Sequence, residues 1–148
     1  MAYKNALSAY RETKVTTAGQ GQLIIMLYNE AVKHLDEALG ILESESRETR
    51  LAGSIEKFGK AVIKTQELIS ELMVSLDFDQ GGDIAANLFS LYSWFNRELV
   101  EANIDRDPRR IIGVRNHICE LRTAWLAVVN SGAADTGNGD AVGVSIAG

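Results

Sequence analysis

Residues Leu76–Asn103 read LDFDQGGDIAANLFSLYSWFNRELVEAN, and this stretch decides the fold. Ile84, Leu88, Leu91, Phe95, Leu99 and Ala102 recur at steps of three and four, the spacing that lines one face of an α-helix. Gly81 and Gly82 supply the backbone freedom for a chain reversal just ahead of it. Asp83 follows, a residue able to cap a helix by accepting from its first free N–H groups. The spacing therefore predicts a helix over 83–104. Upstream, Leu51, Ile55, Phe58, Val62, Ile69, Leu72, Met73 and Leu76 form a second stripe of the same period, which predicts a helix over 48–76. Thr65 interrupts that stripe, and Gly53 and Gly59 each weaken the helix by about 1 kcal/mol relative to alanine. The stretch is thus the hinge of a helical hairpin.

The rest of the chain repeats the pattern. Thr17 followed three residues later by Gln20 has the form of a capping box. It opens a helix predicted over 18–44, with Leu23, Leu27, Ala31, Leu35, Ala38 and Leu42 inward and a Ser/Glu/Arg turn over 43–49. After the third helix, Asp107 is suited to an N-cap and Pro108 to the first helical position, where its missing N–H loses nothing. The last helix is predicted over 108–130, with Val114, Ile118, Leu121, Trp125 and Val128 inward. No segment alternates apolar and polar residues over a strand length. Helices of similar length joined by short turns predict an all-α, antiparallel up-down four-helix bundle. Residues 1–17, with Tyr3, Leu7, Tyr10 and Val15 among polar residues, read as a mobile docking arm, and 18–130 as the bundle. Residues 131–148, rich in Gly, Ala, Ser, Asn and Asp, read as a disordered tail.

Composition bounds the function. The chain has 148 residues, enough for one domain with a real core, and a formal net charge of −5. Residues 20–80 hold 11 acids and 6 bases. The most arginine-rich part, Arg97 to Arg122, balances six arginines with five acids, so no basic stripe argues for nucleic acid. No segment reaches the ~20 apolar residues of a membrane span. The single cysteine, Cys119, cannot form an internal disulfide, and the N-terminus lacks a signal-peptide apolar run; both favour the cytoplasm.

Apolar residues exceed what one core stripe per helix requires. Ile25, Tyr28, Val32 and Leu39 fall on a second line of the first helix. Ile63 and Leu68 stand on opposite flanks of the second. Phe89, Val100 and Ile104, and separately Trp94, lie off the stripe of the third, while Ile112, Cys119 and Leu126 recur every seven residues on the fourth. Taken singly these fill the edges of a broad core; taken together they predict grooves for another apolar segment, such as an amphipathic helix.

Three segments resemble the flagellar secretion chaperone FliS family. In Leu76–Asn103 the matching residues are Leu76, Asp77, Gly81, Gly82, Ile84, Ala85, Asn87, Leu88, Leu91, Tyr92, Arg97, Leu99, Ala102 and Asn103. LIIMLYNEA, from Leu23 to Ala31, is similar to the family's L-x-x-M-L-Y-D-G-A, and Ala124-Trp125 is a weaker third match. The sequence departs from the family at Asn29 and Glu30, at Gly19 in place of a helix-opening proline, and at Glu98 in place of a second basic residue. The resemblance implies a cytoplasmic export chaperone, without enzymatic activity or cofactor, that binds the disordered C-terminal segment of flagellin. It implies that the chaperone prevents premature polymerisation and delivers its cargo to the export gate of the flagellar type III apparatus. The contacts expected for that cargo are Ile25, Tyr28, Val32, Ile63, Leu68, Asn87, Phe89, Tyr92, Trp94, Ile112 and Leu126. Leu7 and Tyr10 match an apolar-x-x-Tyr pair in the family's N-terminal segment, which implies an arm that covers the groove or docks at the gate. For Asn87, Tyr92, Arg97 and Asn103, bonding within the bundle and reception of a peptide backbone both stay open.

Other chemistry finds little support. His34 and His117 with one cysteine do not make a metal set. The carboxylate pairs Asp36/Glu37 and Glu43/Glu45 lack the Glu-x-x-His spacing of a di-iron bundle. Gly81-Gly82-Asp83 lacks the Gly-Lys-Ser/Thr end of a phosphate loop. The alternative reading from another class is a self-associating helical adaptor or structural protein that uses the same apolar seams.

Overall fold

The computed structural model of the chain describes residues 19–47 and 53–131. These form α1 (Gly19–Arg47), α2 (Ser54–Val74), α3 (Phe78–Asp105) and α4 (Pro108–Asn130). Contacts run α1–α2, α2–α3, α3–α4 and α4–α1, so the helices stand in cyclic order, with α1 diagonal to α3 and α2 to α4. This is the expected up-down bundle. The packing is uneven: α1 meets α2 and α4 closely, whereas α3 meets both its neighbours more sparsely. The expected arm, the capping threonine Thr17, Leu51 and residues 132–148 of the expected tail lie outside the described residues, while Ser131, the first residue of that tail, caps the end of α4.

The core follows the apolar stripes. Leu23, Leu27, Ala31, Leu35 and Ala38 of α1 are buried, as are Phe58, Val62, Ile69 and Leu72 of α2, Phe95, Leu99 and Ala102 of α3, and Val114, Ile118 and Trp125 of α4. Thr65, which breaks the α2 stripe in sequence, is fully buried, and its hydroxyl donates to the Ala61 carbonyl at 3.0 Å. The bond back to the preceding turn satisfies the polar atom without a partner from another helix. One expected core residue is misplaced: Ile55 is 54% exposed. The adjacent Ser54 takes the inward position and donates to the Glu45 carboxylate.

The hairpin hinge also departs from expectation. The reversal lies at residues 75–77, ahead of the glycines. Ser75 and Leu76 bond back to Glu71 and Met73 carbonyls and close α2. The Asp77 carboxylate then accepts from the N–H groups of Asp79 and Gln80 at 3.0 and 3.1 Å, so Asp77 rather than Asp83 caps α3. Gly82, at φ +51° and ψ −127°, instead kinks α3 after its first turn. A β-carbon at Gly81 would sit 2.8 Å from the Ala85 β-carbon, so the kink requires glycine there for space and at Gly82 for backbone angle. The fourth helix starts as expected, with Asp107 accepting from Arg109 N–H and Pro108 at the first position.

Candidate functional site

Tyr28 of α1 and Tyr92 of α3 meet across the diagonal of the bundle, their hydroxyls 2.7 Å apart and both side chains buried. Burial, the largest effect on each phenol, penalises the phenolate. It raises Tyr28 well above the ordinary tyrosine value and pushes Tyr92 up to about 12. The Trp125 indole N–H is buried without a hydrogen bond, yet it lies close enough to the Tyr28 hydroxyl to oppose part of that rise. Both phenols are neutral hydrogen-bonding groups at any physiological pH, and they lock α1 to α3.

This corrects the expected cargo contacts. Ile25, Tyr28, Val32, Leu68 and Tyr92 are all buried in the core, none with more than 8% of its surface exposed. The second line on α1 is therefore not surplus: α1 packs closely on both α2 and α4, so a wide arc of its surface faces protein. For Tyr92 the two open roles resolve to bonding within the bundle.

The remaining expected contacts lie at the surface. Ile63, Phe89, Ile112 and Leu126 are exposed, as is Asn87, and Trp94 is half-buried. They do not form one patch. Asp36 pairs with Arg115, and Asn29 accepts from Arg122 at 3.0 Å, which sets the antiparallel register of α1 and α4. In that register Leu126 and Ile112 stand near Ile25 and Leu39, on the α1–α4 side. The Asp36 carboxylate raises the pKa of Arg115, chiefly through their hydrogen bond. Trp94 lies on the α3–α4 side, edge-on to His117 at 5.3 Å. Arg110 bonds Glu98 and Asp105 on that side.

The largest concentration is between α2 and α3. Of the nine large hydrophobic residues that stand exposed among the described residues, seven belong to these helices or the turn between them: Ile55, Ile63, Val74, Phe78, Phe89, Val100 and Ile104. Gln66 Nε2 donates to the Asn96 carbonyl at 3.3 Å, and Gly59 faces the Asn103 side chain, so α2 and α3 run antiparallel with 66 beside 96 and 59 beside 103. On a helix of 3.6 residues per turn, this register turns Ile63, Phe89, Val100 and Ile104 toward the outer groove between the two helices. Phe78 packs edge-on against Phe89 at one end of it, with ring centroids 6.0 Å apart. At the other end of the helices, Arg106 pairs with Glu45 and lies over the Phe58 ring at 4.7 Å. Arg106 adopts φ +54°, a left-handed conformation at the end of α3.

Sequence reading missed this Glu45–Ser54–Arg106–Phe58 clasp, since its residues are remote in sequence and follow no motif. It also missed the Gln66–Asn96 contact. Neither belongs to an apolar stripe, the one signal that periodicity supplies. Among the described residues no three or more His, Cys, Asp or Glu side chains are grouped so as to hold a metal ion. No described helix is long and apolar enough to cross a membrane.

The family model for flagellar protein FliS matches residues 3–132. The chain belongs to the FliS family. It is 30% identical over 131 residues to the flagellar secretion chaperone FliS of Bacillus subtilis, covering 88% of this chain and 91% of that one. It is 33% identical over 115 residues to FliS of Salmonella typhimurium, covering 77% and 79% of the two chains. Flagellar secretion chaperone FliSB of Pseudomonas aeruginosa is 30% identical over 114 residues, 77% of this chain and 84% of its own. Membership makes this helical bundle a flagellar secretion chaperone. It also gives the tyrosine pair a context: Tyr28 and Tyr92 come from the two segments that carry the FliS resemblance, and the fold brings them together.

Proposed function

We propose that this FliS-family protein binds the C-terminal segment of flagellin in the cytoplasm, keeps it from polymerising, and delivers it to the export gate of the flagellar type III apparatus. The exposed apolar strip between α2 and α3 supports this reading most directly. A free protein gains nothing by leaving so many large apolar side chains in water on one face; such patches mark interaction sites. Flagellin's terminal segment is an amphipathic helix when assembled, and its apolar face fits a groove between antiparallel helices. Covering one aliphatic or aromatic side chain contributes about 1.5–3 kcal/mol at full burial. Ordering each cargo residue opposes this by about 1–2 kcal/mol of backbone entropy. A long contact therefore yields a bound state that can still release its cargo at the gate. Asn87, Trp94, Ile112 and Leu126 supply further contacts to a segment that continues around the bundle. Leu7 and Tyr10 serve the gate contact or cover the groove.

Calorimetric titration with a synthetic peptide of the C-terminal segment of flagellin from the same organism tests the reading. One-to-one binding with a negative heat-capacity change is expected, because apolar burial lowers heat capacity. Absence of binding by a folded, monodisperse sample refutes it. A mass that rises with concentration in sedimentation would favour self-association through the same strip.

A further inference from the structure

The α2–α3 strip is not continuous. Ile55, Ile63, Val100 and Ile104 lie toward one end of it, and Val74, Phe78 and Phe89 toward the other. Between them, in the register set by 66 beside 96, stand Gln66 and Ser70 of α2 and Ser93 and Asn96 of α3, all half-buried. The groove therefore has a polar waist between two apolar halves, edged by Glu67 of α2 and Arg97 of α3.

Its amides are incompletely satisfied. Gln66 spends its Nε2 on the Asn96 backbone carbonyl, and its half-buried side chain makes no other hydrogen bond among the described residues. The Asn96 Oδ1 is buried without a partner, and its Nδ2 meets only the Met73 sulfur, at 4.0 Å. Sulfur is a weak acceptor, so Asn96 is poorly served by its surroundings. An apolar side chain laid over this waist would strip solvent from Gln66 and give nothing back, which carries the penalty of a buried unpaired polar group. A hydrogen-bonding side chain in the same place would satisfy it.

We infer that the polar waist around Gln66 selects the occupant of the α2–α3 groove: an amphipathic helix with two apolar clusters and a hydrogen-bonding residue midway between them. Val100 and Phe89 are eleven residues apart on α3. At 1.5 Å per residue, the occupant's clusters are therefore about 16 Å apart. A uniformly apolar helix, such as a stray membrane or core segment, is disfavoured. The waist thus discriminates by penalising the wrong partner as well as by attracting the right one. This inference rests on the proposed cargo binding and specifies the chemistry of that same site.

The test is titration of the flagellin C-terminal peptide into the wild-type protein and into the Gln66→Met, Asn96→Leu and Phe89→Asp variants. Each variant's urea midpoint is recorded to confirm that it folds. Gln66→Met is expected to weaken binding about tenfold, the loss of roughly one net hydrogen bond, although it makes the groove more apolar. Asn96→Leu is the control: the Asn96 Oδ1 is buried beyond an occupant's reach and Leu keeps the backbone carbonyl that Gln66 uses, so binding should be unchanged and the fold equally or more stable. If Gln66→Met binds as tightly as wild type or tighter, while Phe89→Asp abolishes binding, the selective role of the waist is overturned and the cargo groove stands. If Phe89→Asp binds as wild type does, the cargo lies elsewhere, and the inference falls with the location of the groove. If the wild type itself does not bind, both the proposed function and the inference fail.

Discussion

Removing one hydroxyl of the Tyr28–Tyr92 pair should harm the protein more than removing both. The two oxygens are 2.7 Å apart inside the bundle, with both side chains essentially free of solvent. Tyr28→Phe leaves the Tyr92 hydroxyl buried with no partner, an imbalance that costs about 1–3 kcal/mol. Tyr92→Phe strands the Tyr28 hydroxyl less completely, because the unpaired Trp125 N–H lies near it and can turn to donate. Its expected cost is at the lower end, about 1 kcal/mol. The double variant removes donor and acceptor together and keeps both rings, so it should fall within about 1 kcal/mol of wild type. Urea unfolding of the four proteins at a shared m-value measures each step, and the cycle isolates the coupling. A coupling energy near zero, with the double variant losing the sum of the singles, would refute the account. The pair would then be two independent core phenols rather than a diagonal lock.

The same pair makes stability sensitive to alkali. Folding raises both phenol pKa values, so the unfolded chain releases these protons first, from about pH 10. Their contribution is fully present below pH 10 and is lost as pH rises toward 12, by about 2–3 kcal/mol for Tyr92; the double Phe variant should flatten a plot of unfolding free energy against pH. Gly81→Ala should destabilise by about 1–3 kcal/mol in urea melts, overriding alanine's better helix propensity, because the new methyl meets the Ala85 β-carbon. Arg106→Ala should lose about 2–3 kcal/mol through the broken Glu45 pair. Arg106→Gly should lose about 1 kcal/mol less, since glycine carries no penalty at φ +54°. Phe89→Asp should abolish binding of the flagellin peptide in calorimetry while leaving the helical circular dichroism signal unchanged, since Phe89 lies at the surface.

Much of the fold was legible because a bundle helix must bury one stripe, and a stripe has a period that sequence displays. The residues placed inward on α1, α3 and α4 are buried or pack against the core in nearly every case. The start of α4 was legible too, since Asp107 and Pro108 act locally. The hinge is less legible. Asp77 and Asp83 are both competent caps, and only the closing of α2 on Glu71 and Met73 shows that the reversal comes at the earlier one. Gly81 and Gly82 stand out in the sequence, yet they serve the kink in α3 rather than the reversal.

The candidate site divides along the same line. Periodicity identifies residues off the main stripe without telling a wide core from an exposed flank. Ile63 and Leu68 look alike on a helical wheel, and so do Val32 and Phe89. Leu68 and Val32 are buried and the others are not, because burial depends on which neighbouring helix closes over each flank and how tightly. The sequence by itself determined the helices, their number, the family and a surplus of apolar residues, all consequences of local period and local capping. Only tertiary structure decided that α1 spends its surplus inside, that α3 keeps its own outside, that Tyr28 finds Tyr92, and that Gln66 and Asn96 divide the strip. These are contacts between residues far apart in the chain, and they depend on helix rotation and register, which no single helix specifies alone.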